Sequence, residues 1–196
     1  YDREALYGTS DGDYWDNCER FVFLCRGAME AIGTLGEERG GWRPQVIHAN
    51  DWQTGLVPVY LRTLYRDHPV LGAARTLFTV HNLAYQGVFW HYDMPITGLG
   101  WDLFTPAGLE FYGKVNFLKG GLVFADVLTT VSRTYAQEIR TAAFGNGLEG
   151  VLEDRDQEPP QPPDPAGAAA AERLGGPDPA DAVGQLREHR HGHDQG

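Results

Sequence analysis

Thr76-Leu-Phe-Thr-Val-His81-Asn82-Leu-Ala-Tyr85-Gln86-Gly87 decides the fold. Its first five residues form an apolar β-type run, and the run ends in a histidine and an asparagine that no helix or tight turn explains. A buried strand that releases polar side chains at its end is how an open α/β sheet presents chemistry. Ligands of such sheets sit in the crevice beyond the carboxyl ends of the parallel strands.

The pattern recurs. Gln45-Val-Ile-His48-Ala-Asn50-Asp51-Trp52-Gln53-Thr-Gly55 is a short apolar strand followed by His, Asn, Asp and Trp just before a helical stretch. Asp126-Val-Leu-Thr-Thr-Val-Ser132 is a third β-rich run, and Ser132 is placed to cap the next helix, residues 134–140. Strands alternating with helices predict a Rossmann-like parallel sheet with right-handed crossovers. The coarse reading places helices at about 14–35, 53–66 and 114–124, and strands at 45–48, 75–81 and 127–131. Asp51 is available to cap the second helix. Residues 82–106 form a connection long enough to suggest a functional insertion, packed down by Trp90, Tyr92 and Trp101.

Composition divides the chain. All 23 Phe, Trp and Tyr residues precede position 153. Residues 153–196 hold 7 of the 12 prolines and lack lysine, a composition that buries too little apolar surface to offset chain entropy. A folded domain over 1–152 and a disordered Pro/Ala/Gly-rich tail over 153–196 are therefore expected. The net charge of −11 and the scattered basic residues argue against nucleic-acid binding. No run approaches the ~18 apolar residues of a membrane span. Cys18 and Cys25 lie on one predicted helix, roughly 10 Å apart by its rise, too far for a disulfide. Reduced thiols of this kind suit a cytoplasmic compartment. His48 and Asp51 have no third ligand nearby, and His189, His191 and His193 fall in the tail, so no metal site is expected.

His48-Ala-Asn-Asp-Trp-Gln-Thr-Gly-Leu-Val-Pro-Val-Tyr-Leu61, Phe78-Thr-Val-His-Asn-Leu-Ala-Tyr-Gln-Gly87 and Leu118-Lys-Gly-Gly-Leu-Val-Phe-Ala-Asp-Val-Leu-Thr-Thr-Val-Ser132 together resemble the amino-terminal domain of bacterial glycogen synthases and plant starch synthases. The resemblance runs from Tyr1 to about Leu152. It implies the incomplete amino-terminal half of a GT-B glycosyltransferase, without the first β-α unit and its donor-binding Lys-X-Gly-Gly-Leu loop. The parent reaction it implies is transfer of glucose from ADP-glucose to the non-reducing end of an α-1,4-glucan with retention. No cofactor is implied, and ADP-glucose and the glucan are the partners. The compartment would be the cytoplasm of a bacterium, or the plastid if the source is a plant.

The family pattern further implies roles for residues. His81 is expected against the donor glucose and Asp51 beside the acceptor, as the catalytic pair. Asn82, Trp52, Asn50, Gln53, Tyr85 and Gln86 are expected to contact substrate, with Trp52 as a platform for a sugar face; His48 is expected to be a buried strand-end residue. Two glycine motifs carry no such role. Gly145-Asn-Gly147-Leu-Glu-Gly150 follows a helix, not a strand, and reads as a turn opening the next helix. Lys119-Gly-Gly-Leu122 lacks the residue between Lys and Gly found in the donor loop and reads as close helix packing.

Past Leu152 the family pattern stops, and the tail has the bias of GC-rich coding sequence read out of frame. It is expected not to be native family sequence. Two further readings stand beside the synthase: a noncatalytic remnant that binds α-glucan, and another GT-B glucosyltransferase.

Overall fold

The computed structural model describes residues 3–157. The elements in order are β1 (Gly8–Thr9), β2 (Gly12–Asp13), α1 (Asn17–Glu38), β3 (Val46–Asn50), α2 (Leu56–Arg62), β4 (Arg75–Val80), β5 (Val88–Trp90), β6 (Glu110–Phe111), β7 (Lys114–Asn116), α3 (Phe117–Phe124), β8 (Val127–Thr130), α4 (Arg133–Glu138) and α5 (Glu149–Gln157). Short 3₁₀ turns cover Trp52–Thr54, His91–Thr97 and Trp101–Leu103.

The central sheet is parallel in the order β3-β4-β8, with Asn50 opposite Thr79 and Thr79 opposite Thr129. Both steps across it go the same way, so right-handed crossovers stack the connecting helices on one face. Ile47, Ala49, Phe78 and Val80 point into that face and are buried. α3 approaches so closely that a Cβ at Gly121 would lie 2.3 Å from the Phe78 ring, and one at Gly55, beside α2, would lie 2.0 Å from the Phe117 carbonyl oxygen. The Lys119-Gly-Gly motif is thus a packing device, as its sequence predicts. Lys119 itself is buried. Its ammonium donates to the carbonyls of Pro106 and Glu110 at 2.6 and 2.5 Å, and burial lowers its pKa.

Among the described residues no helix covers the opposite sheet face. Val46 and Val127 are 57% and 51% exposed there, and His48, on the same face of β3, is exposed as well. His48 was expected to be buried. Strand alternation decides otherwise, because Ile47 and Ala49 take the inward positions. The imidazole Nε2 of His48 lies 2.7 Å from Thr79 Oγ1, which in turn lies 2.7 Å from Thr129 Oγ1, a polar ladder across three strands.

Several boundaries differ from the sequence reading. Residues 114–116 form β7, which pairs antiparallel with β5 and β6, and α3 starts only after Asn116, whose side chain caps it by accepting from the Lys119 amide at 2.9 Å. The 82–106 connection contains β5 and two 3₁₀ turns, so it is organised. Its aromatic rings touch one another, yet Trp90, Tyr92 and Trp101 stay 60%, 63% and 53% exposed. They do not pack it down. α5 continues through Gln157, so residues 153–157 of the segment expected to be disordered are helical; the expectations for residues 158–196 lie outside the described residues.

Other expectations hold. Ser132 Oγ accepts from the Tyr135 amide at 3.0 Å and caps α4. Cys18 and Cys25 are reduced and buried on α1, and burial pushes both thiols up to about 12, which keeps them protonated and inert. Asn146 and Gly147 take positive φ values of 51° and 82° in the turn that opens α5.

Candidate functional site

The parallel pairing of β3 and β4 sets the polar ends of both strands side by side. With Asn50 opposite Thr79, the Asp51 amide continues the ladder by donating to the Thr79 carbonyl at 2.9 Å. The chain turns sharply there, and Asp51 takes φ 54° and ψ −178°, a conformation an L side chain rarely adopts. This turn aims the carboxylate back at β4, where Asp51 Oδ1 accepts from the His81 backbone N–H at 2.7 Å. Asp51 was expected as a possible helix cap; it makes no capping hydrogen bond, because its side chain is committed to His81. The His81 ring meets the neighbouring residue, with Nε2 3.1 Å from Asn50 Oδ1.

The loop from His81 to Gly87 is held from several elements. Asn82 Oδ1 accepts from the Ala84 amide at 3.0 Å, closing a local turn. The Leu83 amide donates to the Tyr135 hydroxyl of α4 at 2.8 Å. At the far end the amides of Phe117 and Leu118, at the start of α3, donate to the Gly87 and Gln86 carbonyls at 3.1 and 3.0 Å. Gly87 must be glycine, with φ 59° and no room for a Cβ, which would lie 2.2 Å from the Trp52 ring.

Two residues expected to touch substrate, Trp52 and Gln86, are buried. Trp52 is 8% exposed, with its ring 4.4 Å from Phe21, 5.7 Å from Tyr7 and 6.0 Å from Phe89. It is a core residue beneath the loop and offers no platform. Gln86 is also 8% exposed, and both ends of its amide are taken: Nε2 donates to the Asn146 carbonyl at 3.1 Å and Oε1 accepts from Asn116 at 2.7 Å. Gln53 donates to the Tyr7 hydroxyl at 2.6 Å. Asn50 faces His81, so its oxygen serves the imidazole first. Exposed groups that remain for a ligand are His81, Asn82 and the Tyr85 ring, 67% exposed, with Asp51 half-buried between them.

Sequence reasoning missed Asn116, Tyr135 and Asn146, which secure the loop. Asn116 left a trace, since an Asn before an apolar helical run is an N-cap signal. Tyr135 left none, because its partner lies 52 residues away. Among the described residues no group of His, Cys, Asp and Glu is arranged to hold a metal ion. A groove of about 580 Å³ lined by Ile32, Trp42, Pro44, Val46, Ile47 and His48 runs along β3, an edge strand among the described residues, and does not include His81. No helix among the described residues is long and apolar enough to cross a membrane.

The surviving constellation is a carboxylate, an imidazole, an amide and an exposed phenol at the ends of two parallel strands. It suits a ligand rich in hydroxyl groups. The starch synthase catalytic domain family matches residues 1–154. A glycogen synthase of Koribacter versatilis is 54% identical over 155 residues, 79% of this chain and 31% of the relative; one of Anaeromyxobacter sp. is 52% identical over 153 residues, 78% and 31%. The catalytic domain of starch synthase IV from Arabidopsis thaliana, solved bound to ADP and acarbose, superposes with a TM-score of 0.67 at 34% identity, covering 79% of this chain and 30% of that one. The chain spans about 31% of the length of the glycogen synthases it matches. The chain thus belongs to the starch synthase catalytic domain family and has the GT-B parallel sheet of its amino-terminal part.

Proposed function

We propose that this chain supplies the sugar-contacting side of an ADP-glucose:α-1,4-glucan glucosyltransferase site, working with retention of configuration. The observation that carries the reading is the convergence of Asp51 and His81 at the ends of β3 and β4, with Asn82 and Tyr85 exposed beside them. In such a transfer the transition state is oxocarbenium-like, with negative charge growing on the departing diphosphate. The site must orient the sugar and neutralise the phosphate. His81 and Asn82 serve the first task on the donor glucose, while Asp51 accepts hydroxyl hydrogen bonds from the acceptor as well as holding the His81 backbone. The named cluster carries no Lys or Arg, so phosphate neutralisation falls to residues outside it. ADP-glucose is the donor and no further cofactor takes part. The two reduced thiols accord with a cytoplasmic or plastid setting.

The isolated chain accordingly binds maltooligosaccharide without transferring glucose. Isothermal titration with maltotriose and maltoheptaose should give saturable binding that His81→Ala weakens about tenfold, the loss of roughly one good hydrogen bond. Radiolabelled ADP-glucose should yield no labelled glycogen. Absence of binding at millimolar sugar, or transfer at a rate near that of an intact synthase, would overturn the reading.

A further inference from the structure

We propose that Asn50 is a positioning residue for His81: it fixes the imidazole as the Nε2–H tautomer and leaves Nδ1 as the acceptor for a sugar hydroxyl. The first half stands on geometry alone, and the second rests on the glucan reading above.

Asn50 Oδ1 lies 3.1 Å from His81 Nε2. An amide oxygen has lone pairs and no proton, so the contact is a hydrogen bond only if Nε2 carries the hydrogen. In a neutral imidazole the proton on one nitrogen removes it from the other, and the bond made by one nitrogen sets the chemistry of its partner. Nδ1 is then a bare lone pair. Among the described residues it has no hydrogen-bond partner, and the side chain is exposed.

The placement of Asn50 is itself held firmly. It closes β3 opposite Thr79, and Thr54 clamps its backbone from both sides: the Asn50 amide donates to Thr54 Oγ1 at 2.6 Å, and the same hydroxyl donates to the Asn50 carbonyl at 2.6 Å. The next residue, Asp51, holds the His81 backbone N–H. Two consecutive residues thus fix the backbone and the ring of one histidine. A ring so held presents one nitrogen as acceptor and cannot swap tautomers without losing the Asn50 bond. A sugar hydroxyl meeting Nδ1 must donate, which selects the orientation of that hydroxyl before any transfer occurs.

The test is ¹⁵N NMR of the full chain labelled at histidine, at about pH 8, above the ordinary histidine range near ~6.5. Long-range correlations within each ring separate a protonated nitrogen from a bare one, and the His81 signals are those missing in His81→Gln. The wild-type chain should show Nε2 protonated and Nδ1 bare. Asn50→Asp keeps an acceptor oxygen and should keep that pattern, whereas Asn50→Ala should give a tautomer mixture. Maltotriose affinity should fall about tenfold in Asn50→Ala and recover to within about threefold of wild type in Asn50→Asp. A wild-type His81 protonated at Nδ1, or a tautomer unchanged by Asn50→Ala in a chain whose amide spectrum remains native, overturns the proposal. The expected tautomer pattern without any maltotriose binding supports the positioning role and overturns the glucan reading.

Discussion

Asp51 concentrates the local cost of this site in one residue. Its φ of 54° with an extended ψ is a conformation close to a glycine-only region, worth about 1–3 kcal/mol of strain, and the carboxylate bond to the His81 amide is made only because the backbone turns that way. Replacing Asp51 therefore separates two effects. Asp51→Ala loses the hydrogen bond and keeps the strain; Asp51→Gly loses the bond and relieves it. We expect the Gly variant to be more stable than the Ala variant by about 1 kcal/mol, reversing the usual order in which Ala gains from its stiffer unfolded chain. Urea unfolding of both variants measures this, and an Ala variant at least as stable as Gly would mean that the turn is unstrained. The same residue shows what was legible in the sequence. Asp51 and His81 can be picked out as candidates from their place after β-runs, but the bond between them depends on strand register, which local sequence does not state. Trp52 shows the opposite failure: its chemistry fits a sugar platform, and only the rings of Tyr7, Phe21 and Phe89, brought from three other segments, reveal that it is core.

Among the elements, β4 and β8 are pinned at their amino-terminal ends by one carboxylate. Asp126 accepts from Arg62 at 2.5 Å, from Arg75 at 2.8 Å, from the Thr76 amide at 2.7 Å and from the Thr76 hydroxyl at 2.9 Å. Burial acts to raise its pKa, but the Thr76 amide, Arg75 and Arg62 outweigh it and hold the carboxyl below the ordinary carboxylate range. Because the folded value lies below the unfolded one, this contribution is fully present above about pH 4 and is lost as the pH falls through the lowered value. Asp126→Asn should cost about 2 kcal/mol at neutral pH, since an amide cannot accept from all four donors, and should flatten the acid limb of stability. Urea midpoints at pH 7 and pH 3 test this; equal acid sensitivity in both proteins would assign the limb to other carboxylates. The central strands and the capping of α4 were readable because each is encoded within a few residues. The late start of α3 was not: residues 114–116 look helical by neighbourhood, and become β7 only because β5 and β6 are there to pair with them.

At the scale of the molecule, the sheet face left uncovered among the described residues is a prominent surface feature. Parallel sheets are ordinarily covered on both faces, while here Val46 and Val127 stand 57% and 51% exposed on a face that also carries His48, Thr79 and Thr129. The chain in isolation should bind the dye ANS under native conditions and show a mass by light scattering that rises with concentration. A chain that stays monomeric at high concentration and leaves the dye dark would show that this face is satisfied in solution. The fold class was legible because alternation of strands and helices survives in any part of such a sheet; the bare face was not, because covering it depends on residues other than those in the strands. The sheet also sets a clock. Its neighbouring strands are joined by contacts between residues 31 and 50 positions apart, so the chain must close long loops before any strand pairing stabilises it. Non-local pairing of this kind slows folding and prolongs the exposure of unpaired strand edges. During synthesis β4 emerges well before β8, and the β4 edge that β8 will pair stays bare in the meantime, a point at which a nascent chain is open to chaperone capture.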